Sequence, residues 1–93
     1  MDRFEEMHTF VRVVKAGSLS AAADRLNIAK SAVSRRLADL EARLGVQLLT
    51  RTTRRLNLTE NGRQFYQRCL TILSDLAETE QAVASGEIGR AHV

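Results

Sequence analysis

Residues 17–45 read GSLSAAADRLNIAKSAVSRRLADLEARLG, and this stretch determines the fold class. Within it, Asn27-Ile28 interrupts the periodicity and separates two helical segments by only a few residues. Apolar residues of the second segment recur at i, i+4, i+7 and i+11 from Val33, and the pattern stops at Gly45, a residue type that commonly closes a helix. Two helices joined by so short a turn predict a helix-turn-helix.

The second of these helices has an unusual outward face. Projected at about 100° per residue, Ser31 and Arg35 fall opposite the apolar stripe. Ser34 lies on the flank of that face, and Lys30 lies nearer the apolar seam at the start of the helix. Most of the other outward side chains are small, which suits a helix that enters a DNA groove about 12 Å wide. An ordinary solvated face would carry more Glu and Lys.

Helical periodicity also extends upstream of residue 17. Apolar residues between positions 4 and 14 recur at helical spacing, and Ala16-Gly17 supplies a stop signal. Ser18 or Ser20 can cap the next, short helix. Three alanines, residues 21–23, would let another helix cross it closely. The sequence therefore predicts three helices before residue 45.

After Gly45 the apolar period changes from helical to alternating. The alternating residues are Val46, Leu48, Leu56 and Leu58. They flank Thr52-Thr53 and predict a two-stranded hairpin with three arginines at or near its tip. These arginines are Arg51, Arg54 and Arg55. Beside a helix-turn-helix, such a hairpin is typical of a wing that reaches phosphates or a minor groove.

A long final helix begins after Thr59, which is suited to cap it, with Glu60 complementing the macrodipole of the first turn. A 4-3-4-3-4 seam follows, formed by Phe65, Cys69, Ile72, Leu76, Thr79 and Val83. This spacing favours pairing with a partner helix and so predicts a dimer. The alternative is a helix packed back onto its own domain, for which Leu70 and Leu73 are equally suited. Gly86 and Gly89 are expected to end the helix.

Positive charge is concentrated in the middle of the chain. Residues 30–63 carry eight basic against three acidic side chains, a net of +5, whereas residues 1–29 sum to zero and residues 64–93 to −2. Twelve of the fourteen basic residues are arginine, which suits bidentate contacts to phosphates and base edges. The distribution favours a polyanion binder, but charge alone fits a solvated surface or a module that binds an acidic protein.

Composition and cysteine content narrow the class of protein. Ninety-three residues form one small domain, and 44% apolar content argues against a disordered tail. No apolar run approaches the length of a membrane span, and the mixed charges near the N-terminus argue against a signal peptide. Cys69 is the single cysteine, which indicates a reducing cytosol. Catalysis is disfavoured because no nucleophile–base pair or phosphate-binding Gly loop is present.

Together these segments resemble the N-terminal region of LysR-type transcriptional regulators, a winged helix-turn-helix family of bacteria. The resemblance covers essentially the whole chain. It is carried by Phe10-Val11, Gly17-Ser18-Leu19-Ser20-Ala21-Ala22-Ala23, Leu26, Ala32-Val33-Ser34-Arg35, Leu40-Glu41, Leu44-Gly45-Val46-Gln47-Leu48-Leu49, Arg51-Thr52-Thr53-Arg54 and Leu58-Thr59.

The resemblance implies a mainly α fold, a winged helix-turn-helix with a three-helix core and a two-stranded β wing, followed by a long linker and dimerisation helix. We expect the DNA-binding domain at 1–59, with the helix-turn-helix at about 18–38 and the wing at about 46–58. The linker helix is expected at 60–89. Residues 90–93 would be the start of a missing effector-binding domain, so we expect a fragment.

The resemblance also implies double-stranded DNA as partner, on an inverted-repeat operator, and a cytoplasmic, nucleoid-associated location. The expected DNA-binding residues are Ser20, Lys30, Ser31, Ser34, Arg35, Arg51, Arg54 and Arg55. The expected homodimer contacts are Phe65, Cys69, Ile72, Leu76 and Val83. No cofactor or metal is expected in this stretch, since a small-molecule co-inducer would bind the absent C-terminal domain. The resemblance further allows a full-length tetramer, a contact with RNA polymerase, and transcriptional regulation.

Two positions depart from the family pattern, which often has Ser-Gln-Pro where this chain has Ala29-Lys30-Ser31. Ala29 is a poor N-cap and costs about 0.5–2 kcal/mol relative to Ser. We hypothesise that DNA, or a helix start shifted toward Asn27, compensates. Lys30 replaces a Gln suited to adenine, which shifts its expected target toward guanine or a phosphate.

Overall fold

The computed structural model describes residues 2–51 and 55–86. Within these ranges the chain forms four helices and one hairpin: α1 (Arg3–Ala16), α2 (Leu19–Leu26), α3 (Lys30–Leu44), β1 (Leu49–Arg51), β2 (Leu56–Leu58) and α4 (Glu60–Ser85). The predicted three-helix core, two-stranded wing and long final helix are all present, so the predicted fold class is confirmed.

Local capping explains where the first two helices begin and end. Asp2 Oδ1 accepts the Glu5 N–H at 2.9 Å at the start of α1, and Gly17 closes that helix with φ 81°. Ser18 caps α2, because its Oγ accepts the Ala21 N–H at 3.1 Å, so Ser18 rather than Ser20 is the N-cap. Asn27 closes α2 in the left-handed region. Capping residues therefore define both ends of α1 and of α2.

The core lies where α1, α2 and α3 meet the first half of α4. Phe10 is at its centre with no exposed surface, and its ring centroid lies 5.4 Å from that of Phe65 and 6.4 Å from that of Tyr66. Ala22 and Ala23 are buried, as expected of small residues at a close helix crossing. The apolar stripe of α3 faces this core through Val33, Leu37 and Leu40.

The wing joins the domain through Leu48, Thr59 and Gly62. Thr59 donates from its backbone N–H to the Leu48 carbonyl at 2.9 Å and from Oγ1 to the Gln47 carbonyl at 2.6 Å. The same Oγ1 accepts the Gly62 N–H at 2.9 Å, which caps α4 as predicted. Gly62 lies directly against the Leu48 carbonyl, and a Cβ there would stand 2.9 Å from its carbon and closer still to its oxygen.

The strands of the wing are shorter than the sequence predicted. They pair antiparallel, with Leu49 opposite Leu58 and Arg51 opposite Leu56. Leu48 stands opposite Thr59 in the same register and accepts the Thr59 N–H, but its own N–H donates to Glu41 instead of to Thr59. One of the two hydrogen bonds of a Leu48–Thr59 pair is therefore replaced by a bond to a side chain, and β1 begins at Leu49 rather than at the alternating residues Val46 and Leu48 that the sequence favoured.

The long helix α4 spans 26 residues, or about 39 Å, and only its first half packs on its own domain. Cys69 has no exposed surface and belongs to the core. Its predicted place at a dimer interface is therefore wrong, because the residue faces inward with the stripe that attaches α4 to the domain. Phe65 is half-buried against Phe10. The alternative of packing back on the same domain holds for this half.

The second half of α4 presents its apolar side chains to solvent. Ile72 is 43% exposed, Leu76 38% and Val83 64%. The helix ends at Ser85, where Gly86 adopts φ 79°, and the predicted extension toward Gly89 lies outside the described residues. A single stripe thus serves the core at one end of the helix and is left uncovered at the other.

Replacing Gly62 with Ala should destabilise the domain, although Ala is the better helix former by about 1 kcal/mol. The added methyl would overlap the Leu48 carbonyl, and overpacking of this kind costs about 1–3 kcal/mol. Chemical denaturation measures the change. Asn61→Ala, at the exposed neighbouring position, is the control and should be neutral or slightly stabilising. Equal stability of the two variants would contradict the close approach.

Candidate nucleic-acid interface

The outward face of α3 has the composition and exposure that projection predicted. Lys30, Ser31 and Arg35 are exposed, and Ser34 is half-buried at the flank. In the part of the chain that the structure describes, the side chains of Lys30 and Arg35 form neither a hydrogen bond nor an ion pair. Two cations at the N-terminal end of the helix are therefore available to an incoming polyanion.

Two other arginines of α3 hold the fold instead. Arg43 forms an ion pair with the buried Glu6 of α1, with Nη2–Oε1 at 2.6 Å and Nε–Oε1 at 3.0 Å. Arg36 donates from Nη1 to Thr9 Oγ1 at 3.3 Å. Both lie beside the apolar stripe of α3 rather than opposite it, so helical projection was the signal that could have separated them from Arg35. Counting every arginine in the sequence therefore overestimates the positive charge that is available for binding.

Arg63 is also engaged locally, at the start of α4. Its Nη2 lies 2.8 Å from Glu60 Oε2, and its Nη1 donates to the Leu58 carbonyl at 3.3 Å. Hydrogen bonds from Arg63 and then Gln64 lower the pKa of the Glu60 carboxyl, so it stays ionised to a more acidic pH than an ordinary Glu. Arg63 therefore fastens the end of the wing to α4.

The remaining predicted DNA contacts lie around α2 and the wing. Ser20 is exposed in the first turn of α2. Arg51 ends β1, and Arg55 is exposed immediately before β2. Arg54 lies outside the described residues. The roles assigned to these residues stay predictions, but Arg51 and Arg55 do belong to the far end of one hairpin.

The start of α3 lacks a side-chain cap. Ala29 occupies the N-cap position with φ −67° and ψ 146°, and the helix begins at Lys30. Asn27 is committed to closing α2 at φ 58°. The hypothesis of a helix start shifted toward Asn27 is therefore wrong, because one residue cannot end α2 in the left-handed region and also enter α3.

Sequence reasoning missed Glu41, in the last turn of α3. Its Oε2 accepts the Leu48 N–H at 2.6 Å and the Leu49 N–H at 3.1 Å, so it connects α3 with β1. An acidic residue at a helix C-terminus opposes the macrodipole, and this was the available signal that its side chain has another task. Arg25, exposed in the last turn of α2, was also not singled out.

Other candidate chemistry is not supported by the described residues. Burial raises the pKa of the Cys69 thiol to about 11, so it stays protonated at neutral pH and acts as a small buried hydrophobe. Within residues 2–51 and 55–86, no group of three or more His, Cys, Asp or Glu side chains could hold a metal ion. No helix in those ranges is both long and apolar enough to span a membrane.

A family comparison identifies the kind of domain. The sequence pattern of the lysR family of bacterial regulatory helix-turn-helix proteins matches residues 4–63, which run from α1 to the start of α4. The chain belongs to the LysR family. The resemblance inferred from the helix-turn-helix and wing residues is thereby confirmed.

Relatives of this LysR-family chain are transcriptional regulators. An HTH-type transcriptional repressor of Pseudomonas aeruginosa is 46% identical over 96 aligned positions, which cover 100% of this chain and 30% of that protein. The HTH-type transcriptional regulator CrgA of Neisseria meningitidis is 53% identical over 76 residues, 82% of this chain and 25% of CrgA. The chain thus spans less than a third of the length of either relative.

A solved DNA complex has the same fold. The BenM DNA-binding domain bound to catB site 1 DNA superimposes with a TM-score of 0.84 and is 36% identical in sequence. The match covers 92% of this LysR-family chain and 96% of the BenM domain. The long helix α4 is therefore included in the similarity, together with the helix-turn-helix and the wing.

Introducing a hydroxyl at the uncapped start of α3 should stabilise the free domain. Ala29→Ser is expected to raise the free energy of unfolding by about 0.5–2 kcal/mol, because Ser can accept a first-turn N–H that Ala cannot. Ser18→Ala, which removes the existing cap of α2, should lower it by a similar amount. Thermal melts of the two variants in the absence of DNA measure both effects. An Ala29→Ser variant with the melting temperature of the wild type would refute the missing-cap explanation.

Proposed function

We propose that this LysR-family domain binds double-stranded DNA sequence-specifically, as one half of a dimer on an inverted-repeat operator, and so regulates transcription. The observation that carries the proposal is the outward face of α3, where Lys30, Ser31 and Arg35 are exposed and both cations lack a protein partner among the described residues. The DNA complex of the similar BenM domain supports it.

In this proposal α3 enters the major groove with its N-terminal half leading. Arg35 is suited to a bidentate contact with guanine, and Ser31 and Ser34 can exchange hydrogen bonds with base edges. Lys30 reaches DNA because it stands at the very start of the helix. The small residues that follow on this face, Ala38 and Ala42, let the helix approach the groove closely.

Phosphate contacts would hold the helix in register. Ser20, at the start of α2, precedes α3 in the sequence, and the wing arginines Arg51, Arg54 and Arg55 follow it. Contacts of this kind position a protein on the duplex without reading its sequence. The engaged arginines Arg36 and Arg43 are not part of this surface, since they pair with α1.

The proposed dimer forms through the uncovered half of α4. Ile72, Leu76 and Val83 provide the exposed apolar stripe, and Phe4, which is 49% exposed, lines one groove together with Leu76. Burying these side chains against a second copy removes an apolar surface that a monomer would leave in water. A two-fold axis then relates two recognition helices and implies an inverted-repeat site. A co-inducer site on a C-terminal domain, a tetramer and a polymerase contact belong to the full-length protein.

Removing the guanidinium of Arg35 should reduce both affinity and base preference. We expect Arg35→Ala to weaken operator binding by about 1–3 kcal/mol and to relax selection at one position of each half-site. Arg55→Ala should instead weaken all sequences alike and make the salt dependence shallower, by about 0.9 in log-log slope for each phosphate that is no longer neutralised.

Selection from a random duplex pool, followed by titration at several salt concentrations, measures these effects. Arg12→Ala is the control, because it removes the same charge from an exposed position on α1. If Arg35→Ala and Arg12→Ala behave alike, α3 is not the reading helix. If the wild-type domain binds all duplexes equally, sequence-specific function is refuted.

Placing a charge in the apolar stripe of α4 should dissociate the dimer. Leu76→Asp is expected to give monomers, since an unpaired carboxylate would be buried between the helices. Light scattering reports the mass in solution. Gln81→Asp, which adds the same charge to the same helix away from the stripe, should remain dimeric. A dimeric Leu76→Asp variant would place the interface elsewhere.

A further inference from the structure

We propose that Glu41 is a positioning residue that couples the recognition helix to the wing, so that the two elements reach DNA as one rigid unit. The proposal rests on the DNA-binding function above and adds to it a residue that does not itself touch DNA. Its basis is the carboxylate at the end of α3, which binds the backbone at the residues where the wing begins.

Glu41 fixes both ends of the connection between α3 and β1. Its backbone carbonyl accepts the Gly45 N–H at 2.8 Å and ends the helix. Its Oε2 accepts the Leu48 N–H at 2.6 Å and the Leu49 N–H at 3.1 Å. Hydrogen bonds to an ionised acceptor are shorter and stronger than neutral ones, so the residues that lead into the wing are held firmly.

The hydrogen bonds from Leu48 and Leu49 to Glu41, called the clamp below, matter because the hairpin alone is not stable enough to fix the orientation of the wing. Each strand has three residues, and a two-stranded hairpin of this size is marginally stable by itself. The wing is anchored at its base, where Leu49 is buried and pairs with Leu58. A small rotation at that base would displace the far end of the hairpin, so the base sets where Arg51 and Arg55 lie relative to α3.

The electrostatic setting of Glu41 supports a dedicated role. A carboxylate in the last turn of a helix faces the negative end of the macrodipole and is disfavoured there. No Lys or Arg among the described residues forms an ion pair with it. The two N–H groups of Leu48 and Leu49 are its hydrogen-bond donors, so its negative charge is compensated by the backbone of the wing itself.

The proposal predicts an unusual direction for the change in DNA affinity when the Glu41 carboxylate is removed. Removing an acidic residue from a DNA-binding helix should strengthen binding to a polyanion, because repulsion is relieved. Loss of the clamp should weaken binding despite that relief. Asp39 is an exposed carboxylate on the same helix and supplies the matched control. The expected effects of Asp39→Ala and Glu41→Ala on affinity are therefore opposite.

The experiment measures operator affinity and its salt dependence for the dimeric domain and three variants. Glu41→Ala should bind about tenfold more weakly than wild type with a shallower salt slope, whereas Asp39→Ala should bind equally or more tightly. Glu41→Gln keeps an acceptor oxygen and should bind close to wild type. Amide hydrogen exchange at Leu48 and Leu49 should accelerate in Glu41→Ala and stay slow in Glu41→Gln.

A double-mutant cycle separates positioning from a general loss of stability. In the Glu41→Ala background, Arg55→Ala should cost little further affinity, because the wing is already displaced. Arg35→Ala should cost as much as it does in wild type, because α3 remains in place. A general loss of folding would lower the affinity of every variant by the same factor and leave both costs unchanged, so full additivity of Glu41→Ala and Arg55→Ala would overturn the proposal.

The affinity and the folding of the Glu41→Ala variant also test the inference. If Glu41→Ala binds like Asp39→Ala while the Leu48 and Leu49 amides exchange freely, the clamp is irrelevant to binding and the inference fails. In that case the proposed function stands, because wild type and Arg35→Ala test it independently. If Glu41→Ala does not fold, Glu41→Asp replaces it, since its carboxylate is one methylene too short to reach both amides. Wild-type affinity in Glu41→Asp would then overturn the proposal.

Discussion

The backbone of Leu48 is the point at which the recognition helix, the wing and the long helix are joined. Its N–H donates to Glu41 of α3, and its carbonyl accepts from Thr59 at the start of α4. Gly62 packs against the same carbonyl, and the Leu48 side chain is 1% exposed in the core. Because its N–H is bonded to Glu41, Leu48 makes only one of the two hydrogen bonds of a ladder pair with Thr59, and the β ladder begins at the next residue.

Arginine serves two separate purposes in this domain. Arg36 and Arg43 bond to α1 across the core boundary, and Arg63 bonds to Glu60 and to the end of β2. The Glu6 partner of Arg43 is buried, so breaking that pair would leave an uncompensated charge in a small domain. Arg35 and Lys30 face solvent on α3. The surface available for a polyanion is therefore smaller than the charge of residues 30–63 indicates.

The helix α4 shows how one apolar stripe can serve two interfaces. Phe65 packs against Phe10 and Cys69 is buried in the core, while Leu76 and Val83 continue the same side of the helix past the end of the domain. Seam spacing cannot distinguish these uses, since a heptad-like pattern only states that a stripe is apolar. The domain against which the stripe packs, and where that domain ends along the helix, determine which residues are left for a partner.

Local sequence signals were enough to predict the four helices, most of their ends and the outward face of α3. Apolar periodicity and capping residues act on positions only a few residues away; the capping residues here are Ser18, Gly17, Gly45 and Thr59. Such local interactions can therefore be recognised from the sequence alone. Three other outcomes depended on how the elements pack: which charges are engaged, that Cys69 faces the core, and that Glu41 holds the start of the wing. They follow from pairs distant in sequence, such as Glu6 with Arg43, or from backbone groups that carry no sequence signature, such as the N–H of Leu48.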